Sequence, residues 1–453
     1  MVSLIIQFSK YAIIILMAIY TFQSYIVFSK RDEEDKEFLF LRQNLMMFMI
    51  HFIAYVNMYL EMEETELVFF YGAQFLYLAA TLVFFRNLYP RASKLVVNHM
   101  CMLISVGFIM ITRLSYEQSI KQFKIVAIST AVALLVPVVI RKVRVLTKWT
   151  WVYAMAGIGL LALVAVAANE INGAKLSFAV AGISVQPSEF VKIIFVFCIA
   201  GMLGKAKSFK DIVITTCVAA LHVLILVYST DLGSALIFFM TYLVMLYVAT
   251  RNSLYLLAGL GAGSAAAVVA YKLFYHVKIR VQIWQNPFAD YSGSGYQIAQ
   301  SLFAIAAGGW FGTGLFQGTP GNIPYVEQDF MFAAIAEELG GIFAICLILI
   351  CMSCYIMFVN IAMRLSNRFY RLVALGLGTM YAVQVFLTVG GAMKFIPMTG
   401  VTLPLVSSGG SSILSTILMF AIIQGLYILR EDEEEQFERF RERELGSRGY
   451  YEP

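Results

Sequence analysis

Charge is what this sequence has least of. Asp, Glu, Lys and Arg make up 13% of its 453 residues, against the roughly 25% expected of a water-soluble domain, while 60% are hydrophobic. No water-soluble core needs that much apolar surface, so the bilayer is the solvent for most side chains. A basic face is also missing. The net charge of +5 is spread over short loops between apolar runs, which excludes a nucleic-acid partner and makes the Lys and Arg residues reporters of topology. Metal spacing is absent too: His51, His99, His222 and His276 are scattered along the chain without ligand intervals. The six cysteines all fall inside apolar stretches, where a free thiol behaves as a small hydrophobe and no disulfide framework is expected. Cys351 and Cys354 form a C-x-x-C, but with no neighbouring His and no second pair they do not read as a zinc or redox motif.

What is present is a repeated apolar run. Thirteen of them, from residues 3–28 to 412–429, approach the roughly 20 residues that cross a hydrocarbon core, so the expected fold is an all-α integral membrane protein. Arg141, Lys142, Arg144 and Lys148 share one loop and Lys205, Lys207 and Lys210 another; placing both in the cytoplasm satisfies the positive-inside rule. Only the loop with Arg113, Lys121 and Lys124 opposes that assignment. The C-terminus then lies in the cytoplasm and, with an odd number of spans, the N-terminus lies outside. Residues 1–95 carry three runs with few polar residues inside them and read as an appended bundle. Residues 96–430 form a ten-span core, with a long external loop at 275–330 between its seventh and eighth spans. Residues 431–453 alternate acidic and basic side chains and read as a solvated cytoplasmic tail.

Polar groups or irregular backbone at membrane depth are costly unless they line a cavity or contact protein, so they mark where function is sought. Four segments qualify. In QPSEFVK at 186–192, Glu189 and Lys192 share a helix face, either as a buried ion pair or as part of a site. In STDLGSAL, Asp231 stands at the start of a span, suited to cap it. In FIPMTGVTLPLVSSGGSS, Pro397, Pro404, Gly409 and Gly410 break an apolar stretch and leave amides and hydroxyls, among them Ser411 and Ser412, for a cavity or a protein contact.

The fourth segment runs from His276 to Gln328, external in this topology. Residues 291–326 carry no formal charge and are too interrupted to form one span, so they read as short interfacial helices forming a lid or groove wall. Charge returns at the two ends, with Lys278 and Arg280 on one side and Glu327 and Asp329 on the other, and Asp290 between them. Two cations can bind a phosphate or pyrophosphate, and a carboxylate can act as a general base toward a hydroxyl. Asp329 could equally cap the helix that follows. Glu337 and Glu338, deeper in that span, are either functional carboxylates or packed against Lys or Arg.

These segments together resemble the SEDS family (shape, elongation, division and sporulation), membrane glycosyltransferases that polymerise peptidoglycan. The resemblance is carried by NGAK at 172–175, QPSEFVK at 186–192, DLGSAL at 231–236, KIRVQIWQNPF at 278–288, GSGYQIAQSLFAIAAGGWFGTGL at 293–315, YVEQDFMFAAIAEELG at 325–340 and TGVTLPLVSSGGSS at 399–412. It spans about residues 97–430. The chain departs from the family pattern at Ser408, where an aromatic is usual, and at Thr388 and Val389.

The resemblance implies an enzyme that joins sugars of lipid II at the outer face of the bacterial cytoplasmic membrane, releases undecaprenyl pyrophosphate, and works with a class B penicillin-binding transpeptidase. It makes Asp329 the catalytic residue, deprotonating the acceptor 4-hydroxyl, and Lys278 and Arg280 the holders of the pyrophosphate. Glu327, Glu189, Lys192, Ser411 and Ser412 become candidate substrate-binding residues. The sequence points to no definite cofactor; a divalent cation could assist, with Asp329, Glu327 and Asp290 the carboxylates nearby in sequence. Two other functions compete, a lipid II flippase, which needs a path open to both faces, and an inactive scaffold of a cell-wall complex. No continuous charged path from the cytoplasmic side is evident, and the retained Asp329, Lys278 and Arg280 argue against the scaffold.

Overall fold

Peptide groups in hydrocarbon must find partners within their own segment, so each apolar run closes into helix. The computed structural model describes residues 2–167, 177–180 and 183–448; the NGAK motif at 172–175 lies outside them. Among the described residues, thirteen helical stretches are long and apolar enough to cross a membrane. Helices α1 (Val2–Ser29), α2 (Glu33–Met62) and α3 (Glu66–Leu88) precede α4 (Lys94–Leu114), α5 (Tyr116–Ala133), α6 (Val136–Lys142) and α7 (Thr150–Ala167). A two-stranded antiparallel hairpin, β1 (Phe178–Val180) and β2 (Ile183–Val185), pairs Phe178 with Val185, a small departure from an all-helical expectation. Then come α8 (Pro187–Lys205), α9 (Phe209–Tyr228), α10 (Leu232–Thr250), α11 (Ser253–Leu273), the short α12 (Tyr275–Gln285) and α13 (Tyr296–Gly308), and α14 (Met331–Arg364), α15 (Arg368–Ala392) and α16 (Gly410–Arg448).

Burial sorts these helices. α4 is buried along its whole apolar length and α15 along most of it, whereas α11 has no buried residue and touches mainly α10 and α12. α14 is broken at Gly340, whose φ of 87° and ψ of 165° interrupt the helix; only glycine takes that backbone cheaply. The break lets residues 309–314 dock along it, with Thr313 N–H donating to Glu337 O at 2.9 Å and Gly341 N–H to Gly309 O at 2.8 Å.

The stretch between α15 and α16 is unwound, and its backbone is satisfied by protein. Gln384 Nε2 donates to Thr402 O at 3.0 Å, Thr388 Oγ1 to Val401 O at 3.0 Å, and Ser408 N–H to Glu327 O at 2.7 Å. Non-helical backbone at membrane depth is tolerated under that condition. Asp231 does cap α10, accepting from Ser234 N–H at 3.0 Å, and also takes the Ser188 hydroxyl at 3.1 Å, which ties α10 to the start of α8.

Residues 1–95, expected as an appended bundle, are joined to the rest of the chain by packing and polar contacts. α1 runs along α14, and α2 along α4. Tyr20 Oη meets His99 Nδ1 at 3.0 Å, His99 Nε2 meets Ser353 Oγ at 2.9 Å, and His51 Nδ1 meets Ser105 Oγ at 2.9 Å. Lipid tails are as apolar as leucine, so helix association in a bilayer draws on such polar pairs and on close packing; polar residues sparse in sequence are concentrated at these joints. At the opposite end of the bundle from Asp329, Asp432 of α16 accepts from Arg91 and Arg141, each at 2.6 Å.

Candidate active site

The site begins with one face of α12. Arg280 and Trp284 are one helical turn apart and therefore point the same way. Arg280 Nη1 donates to the carbonyls of Met398 at 3.3 Å and Thr399 at 3.2 Å, and Trp284 Nε1 donates to Lys394 O at 3.2 Å. These bonds dock α12 on the unwound stretch after α15. Lys278 is two positions from Arg280, where a helix turns a side chain to another face; it is exposed and does not line the cavity below.

Asp329 sits just ahead of α14. The cap reading fails here, because Phe330 occupies the N-cap position and α14 has no side-chain cap. Among the described residues nothing donates a hydrogen bond to the Asp329 carboxylate, and it stands beyond ion-pair distance of every cation. It shares a cavity of about 330 Å³ with Arg280, Trp284, Ser294, Gln297, Tyr325 and Lys394. Gly400, at φ 76°, takes a backbone conformation that favours glycine and lies between the two charges, a Cβ there being in ordinary contact with Asp329 Oδ2 at 3.9 Å and Arg280 Nη2 at 4.0 Å.

Burial raises the Asp329 pKa to about 6, with the Arg280 charge pulling it down and the Glu327 charge adding to the rise. Burial likewise lowers the Arg280 pKa, opposed by Asp329 and Asp231. A carboxylate near pKa 6 is ionised at neutral pH yet basic enough to accept a proton. Asp290 is engaged locally, its carboxylate accepting the Ser294 N–H at 2.8 Å and hydroxyl at 2.7 Å, which holds its pKa low.

The other sequence candidates lie elsewhere. Lys192 Nζ and Glu189 Oε2 form a buried ion pair at 2.7 Å, extended by Lys192 to Gln384 at 2.9 Å and by the Ser415 hydroxyl to Glu189 at 2.9 Å. Ser411 Oγ accepts from Gln186 N–H at 2.9 Å, and Ser412 Oγ meets Thr402 Oγ1 at 2.7 Å. None of these four lines the cavity, nor does Glu327. Glu338 is paired with Arg113 at 2.9 Å, and Glu337 accepts from Thr319 N–H at 2.8 Å, so both serve packing. Among the described residues no three His, Cys, Asp or Glu side chains come together to hold a metal. With Asp290 committed to Ser294 and Glu327 outside the cavity, the trio suggested by sequence does not fit a divalent cation.

Sequence reasoning missed Lys394, Trp284 and Tyr325. A signal existed for the first: Lys394 is the only formally charged residue between Arg371 and Arg430.

Fold and site together define a polytopic membrane protein with a cavity of mixed apolar and polar lining that holds an unpaired carboxylate and two cations at one end of its bundle. Residues 93–431 match the FtsW/RodA/SpoVE model, described as cell cycle protein. The chain is 33% identical over 383 residues to the peptidoglycan glycosyltransferase RodA of Mycobacterium tuberculosis, covering 78% of this chain and 82% of that one. It is 32% identical over 259 residues to the stage V sporulation protein E of Bacillus subtilis, covering 55% and 70%. Its fold is similar to a chain from a peptidoglycan synthase complex that coordinates polymerization and crosslinking, with a TM-score of 0.65 at 24% identity, covering 75% of this chain and 98% of that one. The rod shape determining protein RodA of Thermus thermophilus gives 0.58 at 23%, covering 75% and 97%. The chain belongs to the FtsW/RodA/SpoVE family.

Proposed function

We propose that Asp329 is the general base of glycan polymerisation in this cavity and that Arg280 stabilises the departing diphosphate. The chain is a peptidoglycan glycosyltransferase, in keeping with curated relatives of that name at 33% identity over most of both chains. The substrate is lipid II. Asp329 takes the proton of the acceptor 4-hydroxyl, the oxygen attacks the anomeric carbon of the donor sugar, and the bond from that carbon to the diphosphate oxygen breaks. Undecaprenyl pyrophosphate leaves with the bonding electrons, its developing charge met by Arg280. The cavity faces the outer side of the cytoplasmic membrane, the C-terminus lies inside, and a class B penicillin-binding transpeptidase is the partner. Glu189, Lys192, Ser411 and Ser412 act by holding the unwound stretch after α15 in place, and Glu327 by raising the basicity of Asp329.

The observation that carries this reading is a carboxylate with no hydrogen bond, near pKa 6, beside an arginine in one cavity. The test is glycan-chain formation from labelled lipid II by the purified protein, with and without its transpeptidase, for wild type and Asp329→Ala. Chains from the wild type and none from a folded Asp329→Ala protein support it. Equal product from both removes Asp329 as the base.

A further inference from the structure

We propose that Lys394 is a substrate-binding residue that completes, with Arg280, a two-cation site for the donor diphosphate beside Asp329. The proposal rests on the glycosyltransferase reading of the same cavity and names a residue that reading does not contain. Three observations carry it.

First, Lys394 and Arg280 line one cavity with Asp329, and the two cation-bearing segments are joined by the bond from Trp284 Nε1 to Lys394 O at 3.2 Å. Lys278 does not line that cavity.

Second, the backbone at Lys394 is one that lysine seldom takes. After α15, Phe395 N–H donates to Gly390 O at 2.8 Å and Lys394 N–H to Gly391 O at 3.2 Å. This is the paired C-terminal turn in which the residue in the left-handed conformation is usually glycine; Lys394 holds it with φ 58°. A side chain kept at a strained position beside a site points to a role for that side chain.

Third, the charge of the lining favours it. Among the side chains that line the cavity, ionised Asp329 and Arg280 cancel, with Glu327 and Asp231 adding negative charge behind them, whereas a diphosphate diester brings two negative charges and its release adds a third. Lys394 supplies the positive charge in excess that the lining otherwise lacks for that group.

The competing role is structural: a lysine at a helix C-terminus is favoured by the helix dipole. Lys394→Gly separates the two, because glycine suits the turn better, so the variant should melt no lower than wild type. We expect full-length Lys394→Gly, assayed with its transpeptidase, to raise the KM for lipid II roughly 10- to 100-fold, the range for losing one hydrogen bond to a charged group. The inhibition constant of inorganic pyrophosphate should rise by a similar factor, and Lys394→Arg should restore much of both. A Lys394→Gly protein with wild-type KM and unchanged pyrophosphate inhibition would overturn the proposal in favour of the dipole role. Pyrophosphate binding to the purified protein, measured by calorimetry without lipid II, separates the two readings: binding lost in Lys394→Gly and retained in Asp329→Asn supports the anion site even where polymerisation fails.

Discussion

Two carboxylate and cation sets stand in the same membrane protein and do opposite things. Glu189 and Lys192 are in contact at 2.7 Å, nearly fully buried, and each has a further partner, Lys192 in Gln384 and Glu189 in Ser415. Asp329 and Arg280 share a cavity but form no ion pair, and the arginine spends one of its nitrogens on backbone carbonyls instead. The first set is closed and can only hold helices together. The second leaves a carboxylate unpaired, a state that burial penalises, and a group kept in that state is available to a substrate. Residue type does not distinguish the sets; the saturation of their hydrogen bonds does.

The sharpest way to break this comparison is to disable the open set. Asp329→Asn should lower the polymerisation rate by roughly 10²- to 10⁴-fold, the usual contribution of a general base, without lowering the melting temperature; a rate within a fewfold of wild type would place the base elsewhere. In the closed set, Glu189→Ala leaves the Lys192 ammonium buried against an amide alone, so the expected effect is on folding, about 3–5 kcal/mol. The double variant Glu189→Leu with Lys192→Leu should recover much of that stability, as a thermal denaturation series in detergent would show.

Proton affinity gives a finer test. With Asp329 at a pKa of about 6, the rate should fall as pH drops through 6, because the protonated acid cannot accept the hydroxyl proton. Arg280 holds that pKa down and Glu327 pushes it up. The acidic limb should therefore move to higher pH in Arg280→Met and to lower pH in Glu327→Gln; shifts in the opposite directions would refute the electrostatic assignment. The smallest effect is expected of Lys278→Ala. Its charge is exposed outside the cavity, so the KM for lipid II should rise less than about fivefold, from a loss within the roughly 1 kcal/mol typical of exposed charges, and the difference should shrink further in salt.

Much of the site was legible because it breaks rules that the rest of the chain obeys. Asp329 and Arg280 stood out as charges flanking an uncharged stretch, and the Pro and Gly residues between α15 and α16 announced unwound backbone. Lys278 looked equivalent to Arg280 because sequence distance says nothing of helix face until 275–285 is known to be one helix. Lys394 was hidden for the reverse reason. It lies more than a hundred residues from Arg280 and reaches the site only because α15 carries the chain back to it.

The contacts of the N-terminal extension were hidden in the same manner. Lys10 Nζ donates to Gly312 O at 2.9 Å, a tie to the stretch docked on the break in α14 that no local pattern around Lys10 foretells.

Composition and the period of apolar runs determined by themselves that this chain is a bundle of membrane helices, since hydrocarbon leaves an apolar segment no other way to satisfy its peptide groups. Short motifs determined its family. The Glu189–Lys192 pair could be suspected from its spacing on one helix face, but that Asp329 and Arg280 share a cavity with Lys394 was decided by tertiary structure alone, because it depends on distances of a few ångströms between segments that are remote in sequence.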